Sequence, residues 1–362
     1  MAGNSLESLL AWMKDTSRML GWDLIAALDG RKINLGLQQD HIVRLSQGRD
    51  LGVITGSIDN PETDMSLYLS GFRLAAPMLT FDRASLQTNR TSLSLAVFGG
   101  TQMLVEIAQG QRKIKTLSVL DPQNGSQLTL DLPVLANALS VDMDLANSEN
   151  AMLTMFGTPA EQREAGALFK AWFEGLKDDQ RVYALGSFPH EGNPLMLAHS
   201  IDARTQQRDK SALTSSAVNE DGALVLFASM VDGAAGSFPG DNSGFRYLIP
   251  DDDERNSYSK TVLSSRALIH RAAFGHAVLQ LLDSSEFDYV VDENGVLAKM
   301  VAKRGDLEVQ PGNYQSLEYE FDSSAFDLPA SQGALPLTVE FAQIRWFNAG
   351  KVLSHCHFDI VA

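Results

Sequence analysis

The sequence predicts an α+β fold in which a long antiparallel sheet is interrupted, at wide intervals, by a few long apolar helices. Three observations carry this. From about residue 50 to residue 146 the hydrophobic period is two, in successive runs with no helix between them. A strongly capped apolar helix begins at Thr158, and a second long apolar helix begins near Ser264. Alternating runs resume after each helix, a succession that excludes a repeated strand–helix–strand layout.

In chain order, residues 4–20 read as a short amphipathic helix, with Leu6, Leu9, Leu10, Met13 and Leu20 recurring at helical spacing. This N-terminal helix, 1–20, is set apart from a body, 21–362. The body opens with "GWDLIAALDGRKINLGLQQDHIVRLS", a strand followed by a helix. Asp29 is placed to cap that helix, and Ile33, Leu37, His41 and Leu45 are expected along its inner face. A strand feeding directly into a helix suggests a nucleotide-binding start, but the turn lacks Gly-x-Gly-x-x-Gly and no P-loop pattern occurs in the chain.

The alternating strands come next. In "DMSLYLSGF", Met65, Leu67 and Leu69 oppose Ser66, Tyr68 and Ser70; in "TSLSLAVF", Leu93, Leu95 and Val97 oppose Ser92 and Ser94. "SQLTLDL" and "ALSVDMDL" repeat the pattern, with turn chemistry in "DPQNGS" at 121–126. Such strands are wet on one face and covered on the other. If the body has two halves, the boundary is expected near 150–158.

At that point "TPAEQREAGALFKAWFEGLK" combines Thr158 as N-cap, Pro159 at the first helical position and Glu161 completing a capping box. Ala165, Leu168, Phe169, Trp172, Phe173 and Leu176 form its apolar stripe. "RVYALGSF", "PLMLAHSI" and "ALVLFASM" return to strands, and "SSRALIHRAAFGHAVLQLL" is the third long helix, apolar on more than one side. A hairpin about Glu293–Gly295 and the runs "PLTVEFAQIRWF" and "VLSHCHFDIV" close the chain. A sheet with one apolar face, curled around apolar helices, encloses a tube. Leu168, Phe169, Trp172, Phe173, Leu268 and Ile269 are the residues expected to line it.

Composition narrows the function. A net charge of −16, with no basic cluster larger than "RKIK" at 112–115, argues against nucleic acid and against simple electrostatic docking on anionic membranes. Cys356 is the only cysteine, so neither a disulfide framework nor a cysteine zinc site is expected. There is no signal-peptide pattern and no apolar run of membrane-spanning length, and the expected location is the cytoplasm where the chain is made.

Few residues offer chemistry. In "HCHFD", His355, His357 and Asp359 fall on one face of a strand and are a weak candidate metal set; a solvent-facing polar strand is the plainer reading. "DDDE" at 251–254 lacks the ligand spacing and glycine of a calcium loop. His270 and His276 read as buried helical histidines, and Cys356 as a buried thiol. No cofactor is expected.

One resemblance can be set beside this reading. "GWDLIAAL" and "INLGL" near the start, with "GALVLFAS", "GSFPGDNSGFRYLIPDDD" and "YSKTVLSSRALIH" later, resemble the bacterial OrfX and forty-seven-kilodalton accessory proteins encoded beside clostridial neurotoxin and related insecticidal toxin genes. The matching residues are Gly21, Trp22 and Asp23, then Tyr247, Leu248, Ile249 and Pro250, and Tyr258 with Ser259. The resemblance implies an elongated tubular lipid-binding (TULIP) fold, a highly curved antiparallel sheet wrapped around helices. It also implies a non-enzymatic binder of lipid or another apolar ligand, acting as a toxin accessory with related TULIP proteins or toxin components as partners. It carries over no binding residue. A closed, purely structural assembly protein and a metal-dependent enzyme built on His355, His357 and Asp359 remain the alternatives.

Overall fold

The computed structural model describes residues 4–13, 18–60, 64–108, 111–120, 125–137, 140–155, 158–187, 196–208, 221–230, 235–240, 244–250, 258–265, 268–269 and 272, and beyond these the backbone of five strands within 287–361. In chain order the elements begin with α1 (Leu6–Met13), β1 (Leu24–Asp29), α2 (Gly30–Ser46), β2 (Ile54–Asn60), β3 (Met65–Leu74) and β4 (Met78–Thr80). Next come β5 (Arg90–Ala108), β6 (Gln111–Val119), β7 (Gln127–Ala136), β8 (Ser140–Asp144) and β9 (Glu149–Leu153). Then follow α3 (Pro159–Glu174), α4 (Asp178–Arg181), β10 (Val182–Ser187), β11 (Ala198–Gln207), β12 (Gly222–Met230) and β13 (Lys260–Ser264). The last five strands are β14 (Phe287–Val291), β15 (Leu297–Ala302), β16 (Ser316–Phe321), β17 (Thr338–Asn348) and β18 (Lys351–Val361).

These strands make three antiparallel sheets. The largest runs β10-β8-β7-β5-β3-β2, with β4 and β6 also on β5 and β9 also on β7. A second has the order β11-β12-β1-β13, and the last five strands form a sheet in sequential order. The α+β class therefore holds, and the near absence of helices among the described residues between 50 and 153 is as the alternation requires.

The large sheet curls because α3 touches strands that lie far apart in it. Gly166 of α3 sits against the backbone of Ala151 in β9, whereas Leu168 lies over Gly56 of β2, at the other end of the sheet. β-Bulges in β2, β3, β5 and β8–β10 pairing supply the bending. Around α3 the apolar faces of β3, β5, β7 and β9 converge on Phe169 and Phe173, which are fully buried with Phe72, Leu95, Leu128 and Leu153. The start of α3 is fixed as the sequence requires: Glu161 N–H donates to Thr158 Oγ1 (3.3 Å) and Thr158 N–H donates to the Glu161 carboxylate (3.1 Å).

The four-stranded sheet is a middle layer. Every residue of β12 is buried, because its alternate residues serve two cores. Leu224, Leu226 and Ala228 pack towards Val134 and Val141 of the large sheet, while Ala223, Val225 and Phe227 pack against Trp22, Leu248 and Ile249. Helix α1 docks on that second side. Arg246 donates to the Ser8 carbonyl (2.9 Å), Asn4 Nδ2 donates to the Ile249 carbonyl (2.6 Å), and Trp12 meets Phe245 edge-on at 5.6 Å. β10, after the capping box, pairs with β8 before it, so one sheet spans both sides of residue 158.

Helix α2 departs from the expected pattern. Asp29 caps it, accepting from Lys32 N–H at 3.1 Å, and Leu37 is buried, but Leu45 is 50% exposed. The residues buried on α2 are Gly30, Asn34, Leu37 and Arg44. Residues four apart advance about 40° around a helix at each step, so a row of four winds off any one face. The inner face is completed by polar groups whose partners are backbone atoms. Asn34 exchanges two bonds with Leu79, and Arg44 donates to the carbonyls of Asp179 (3.0 Å), Gln180 (3.3 Å) and Val182 (2.6 Å). Among the described residues, α3 is thus the long helix with an apolar face; α2 is predominantly polar.

Candidate functional site: a cleft between α2 and β10

Where α2 passes β10 and β1, the packing opens into a cleft of about 300 Å³. Leu28 comes from β1, Ile33 and Leu37 from α2 and Leu185 from β10; Asp29, Lys32 and Ser259 add polar groups. Leu28, Ile33 and Leu185 are half-buried and also pack on the core between the two sheets, the core that contains Leu268. The cleft is the open continuation of that core. Gly36 belongs to its wall, and a β-carbon placed there meets nothing within 4 Å.

The polar groups are arranged by the local fold. Asp29 is almost wholly buried because it ends β1 and caps α2; its second carboxylate oxygen is 3.7 Å from Arg31. Its backbone N–H donates to the Ser259 carbonyl at 3.0 Å, tying the β1–α2 corner to the segment before β13. Burial, and then the charge of Asp29, push the Tyr247 hydroxyl well above the usual tyrosine range, so this phenol stays neutral. An apolar floor with an acid, an amine and a hydroxyl around it suits an amphipathic ligand. The size is at the small end of ligand pockets.

The residues expected to line a tube are distributed as follows. Phe169 and Phe173 are fully buried, Phe169 against Phe72 at 6.3 Å between ring centroids. Leu168 and Trp172 are half-buried beside them, and Trp172 Nε1–H donates to the Leu51 carbonyl at 3.0 Å. Leu268 is buried at the inter-sheet core, and Ile269 follows it in the same helical turn, opened by Ser265 Oγ accepting from Leu268 N–H at 3.0 Å. The rest of the third long helix, with His270 and His276, lies outside the described residues, as does "DDDE" at 251–254. His355, His357 and Asp359 fall at alternate positions of β18, the edge strand of its sheet, with His355 opposite Arg345 and Asp359 opposite Glu340. Among the residues whose side chains are described, no cluster of His, Cys, Asp and Glu is arranged to hold a metal ion. Among them, too, no helix is long and apolar enough to cross a membrane.

The cleft was not evident from the sequence. Asp29, Ile33 and Leu37 belong to the β1–α2 pattern, but Leu185 and Ser259 reach them from strands and loops more than a hundred residues away. No local signal marks that meeting.

The architecture defines a class: an α+β protein whose curled antiparallel sheet encloses a helix and backs onto a second sheet. No family profile and no curated protein matches the sequence. Among solved structures, the chain is similar to P47 from Clostridium botulinum A2, at 10% identity over 97% of this chain and 84% of that one, with a TM-score of 0.45. It is similar to P47 of Clostridium botulinum E1 at 11% identity over 94% and 75%, with a TM-score of 0.46. A lipopolysaccharide binding protein follows at 12% identity over 94% and 85%, with a TM-score of 0.26.

Proposed function

We propose that this protein is a non-enzymatic binder of an amphipathic, lipid-like molecule, which lies with its apolar part in the cleft between α2 and β10. The observation that supports this reading is the cleft itself: an apolar floor continuous with a buried core, with charged and hydroxyl groups around it. Binding there needs no catalytic group. Each methylene transferred from water to the floor contributes about 0.8 kcal/mol. Lys32 and Asp29 favour a ligand whose head carries both charge and hydrogen-bonding groups. Leu268, on the adjoining core, and Ile269, next to it in the chain, are the proposed inner contacts; Leu168, Phe169, Trp172 and Phe173 would meet a ligand only if the interior around α3 opened. A role as an accessory to a toxin-like gene cluster is the part of this proposal that rests on the sequence resemblance alone.

A second reading has its own support. Phe169 and Phe173 have no exposed surface, so the interior around α3 is filled by side chains, as in an assembly protein that encloses no ligand there. Native mass spectrometry of the gently purified chain, followed by solvent extraction, separates the two. A stoichiometric lipid-like mass in the parent, lost in Gly36→Leu while circular dichroism is unchanged, is the expected result. A ligand-free mass that persists after incubation with mixed lipid extracts would end the binding proposal and leave assembly.

A further inference from the structure

We propose that the outer face of the β5–β6 hairpin is a docking surface for anionic lipid bilayers. All nine residues of β6 are exposed, although β6 is paired along its length with β5. Leu69 and Leu67, on the inner face of β3, stand opposite Gln102 and Leu104 of β5; the face carrying Thr101 and Met103 therefore points away from the core around α3. Val119 pairs with Thr101, Leu117 with Met103, Ile114 with Val105 and Arg112 with Ile107, so these four β6 residues share that outer face. Val105 is buried, and the open part of the strip is β6 itself. Its apolar side chains are among the most exposed described: Ile114 is 59% exposed, Leu117 66% and Val119 76%.

The charge of this strand is opposite to that of the chain. β6 carries Arg112, Lys113 and Lys115 and no acid, in a protein of net charge −16. Lys115 is held by Glu106 at 2.7 Å, whereas Arg112 and Lys113 make no ion pair with any described residue. At physiological salt, charges more than about 8 Å away are largely screened, so an approaching surface experiences these local cations more than the distant acids. Arg112, on the same face as the exposed aliphatic side chains, suits the interface of a membrane with anionic headgroups; Lys113, opposite Glu106, is on the other face of the strand.

A peptide strand is a poorer occupant. The β5–β6 ladder slips between Leu104 and Val105, leaving Lys115 as a bulge. A bulge and lysines on an edge strand are devices that discourage strand addition. A fluid headgroup layer needs neither a regular edge nor a groove. The assignment does not depend on what occupies the cleft between α2 and β10.

The test is flotation of the purified full chain with phosphatidylcholine vesicles, with and without about one-third phosphatidylserine. Binding to the anionic vesicles alone, weakening as salt rises, is expected. Arg112→Glu should weaken it by about five-fold or more, and Leu117→Ser with Val119→Ser should weaken it with the charge untouched. Gly36→Leu should leave it unchanged, which separates this surface from the cleft. Absence of binding by the parent at low salt would overturn the proposal. So would variants that float like the parent while retaining its thermal melt, or variants that alter only self-association in light scattering, which would make the strip a contact between copies.

Discussion

Replacing Gly166 by alanine tests the packing of α3 in the curled sheet. A β-carbon at this position would lie 1.9 Å from the carbonyl oxygen of Ala151 and 2.2 Å from its carbonyl carbon. Both are backbone atoms of β9, which is paired with β7 on either side of Ala151, at Glu149 and at Met152, so neither can swing aside as a side chain would. Side-chain carbons do not approach backbone atoms within 3.0 Å, and α3 must retreat by roughly 1 Å. A gap of that size forfeits a quarter to a half of each dispersion contact across it. Phe169 and Phe173, both fully buried on the same helix, contribute roughly 5 kcal/mol together by burial. Their loss is then about 1–2.5 kcal/mol, and the strain of overpacking adds about 1–3 kcal/mol. Alanine recovers about 1 kcal/mol of helix propensity. The net expectation is a destabilisation of about 1–4.5 kcal/mol. Gly36→Ala is the control: with nothing within 4 Å of its added carbon, it should gain about 0.5–1 kcal/mol. Urea unfolding of the two variants beside the parent gives the comparison. If Gly166→Ala raised the midpoint as Gly36→Ala does, the close contact between α3 and β9 would be wrong, and with it the curl of the sheet.

Three other perturbations address separate contacts. Arg44→Met leaves the carbonyls of Asp179, Gln180 and Val182 without their donor and removes a guanidinium 4.2 Å from the Tyr183 ring; a loss of about 3 kcal/mol in urea unfolding is expected. His41 titrates below its ordinary value of 6.5, chiefly because of burial, with Arg44 lowering it further and Asp50 and Asp40 opposing. Its unfolded form therefore binds the proton more readily, so stability present above pH 6.5 is lost as pH falls through the folded value. His41→Gln should flatten the stability profile between pH 6.5 and the acid limb, and an unchanged profile would remove His41 from the account. Thr158→Ala removes the hydroxyl that accepts from Glu161 N–H, while the backbone N–H of residue 158 keeps its bond to the Glu161 carboxylate, and should cost about 1 kcal/mol, read by thermal melting.

Local chemistry was legible in the sequence. Thr158, Pro159 and Glu161 announce the start of α3 within four residues, and the alternation of Leu93, Leu95 and Val97 shows which face of β5 is buried. What depends on meetings between distant segments was not legible. The inner face of α2 is completed by Asn34 and Arg44, whose partners are carbonyls and amides of other elements; backbone atoms leave no hydrophobic signature. That is why Leu45 was expected inside and is outside. The cleft has the same origin, because Leu185 is placed by β10 pairing with β8 while Ile33 is placed by the Asp29 cap. The exposure of β6 was equally hidden, because it depends on which strands lie beside it.

The position of β1 has a consequence for how the chain comes together. β1 ends at Asp29, yet both strands that flank it, β12 and β13, begin about 190 and 230 residues later, at Gly222 and Lys260. Its loop closures are among the longest the topology demands, whereas β2 with β3, β5 with β6 and β7 with β8 are joined by short connections. At ribosomal rates of about 5–20 residues per second, the β1 segment waits roughly ten to forty seconds before either flanking strand exists. During that interval "LIAALD" is an apolar segment with both backbone edges unsatisfied. The large sheet can condense first from hairpins of low contact order. The middle layer is then completed in a late step that joins the beginning of the polypeptide to its second half, and interruption of synthesis before residue 222 leaves the first strand exposed to aggregation.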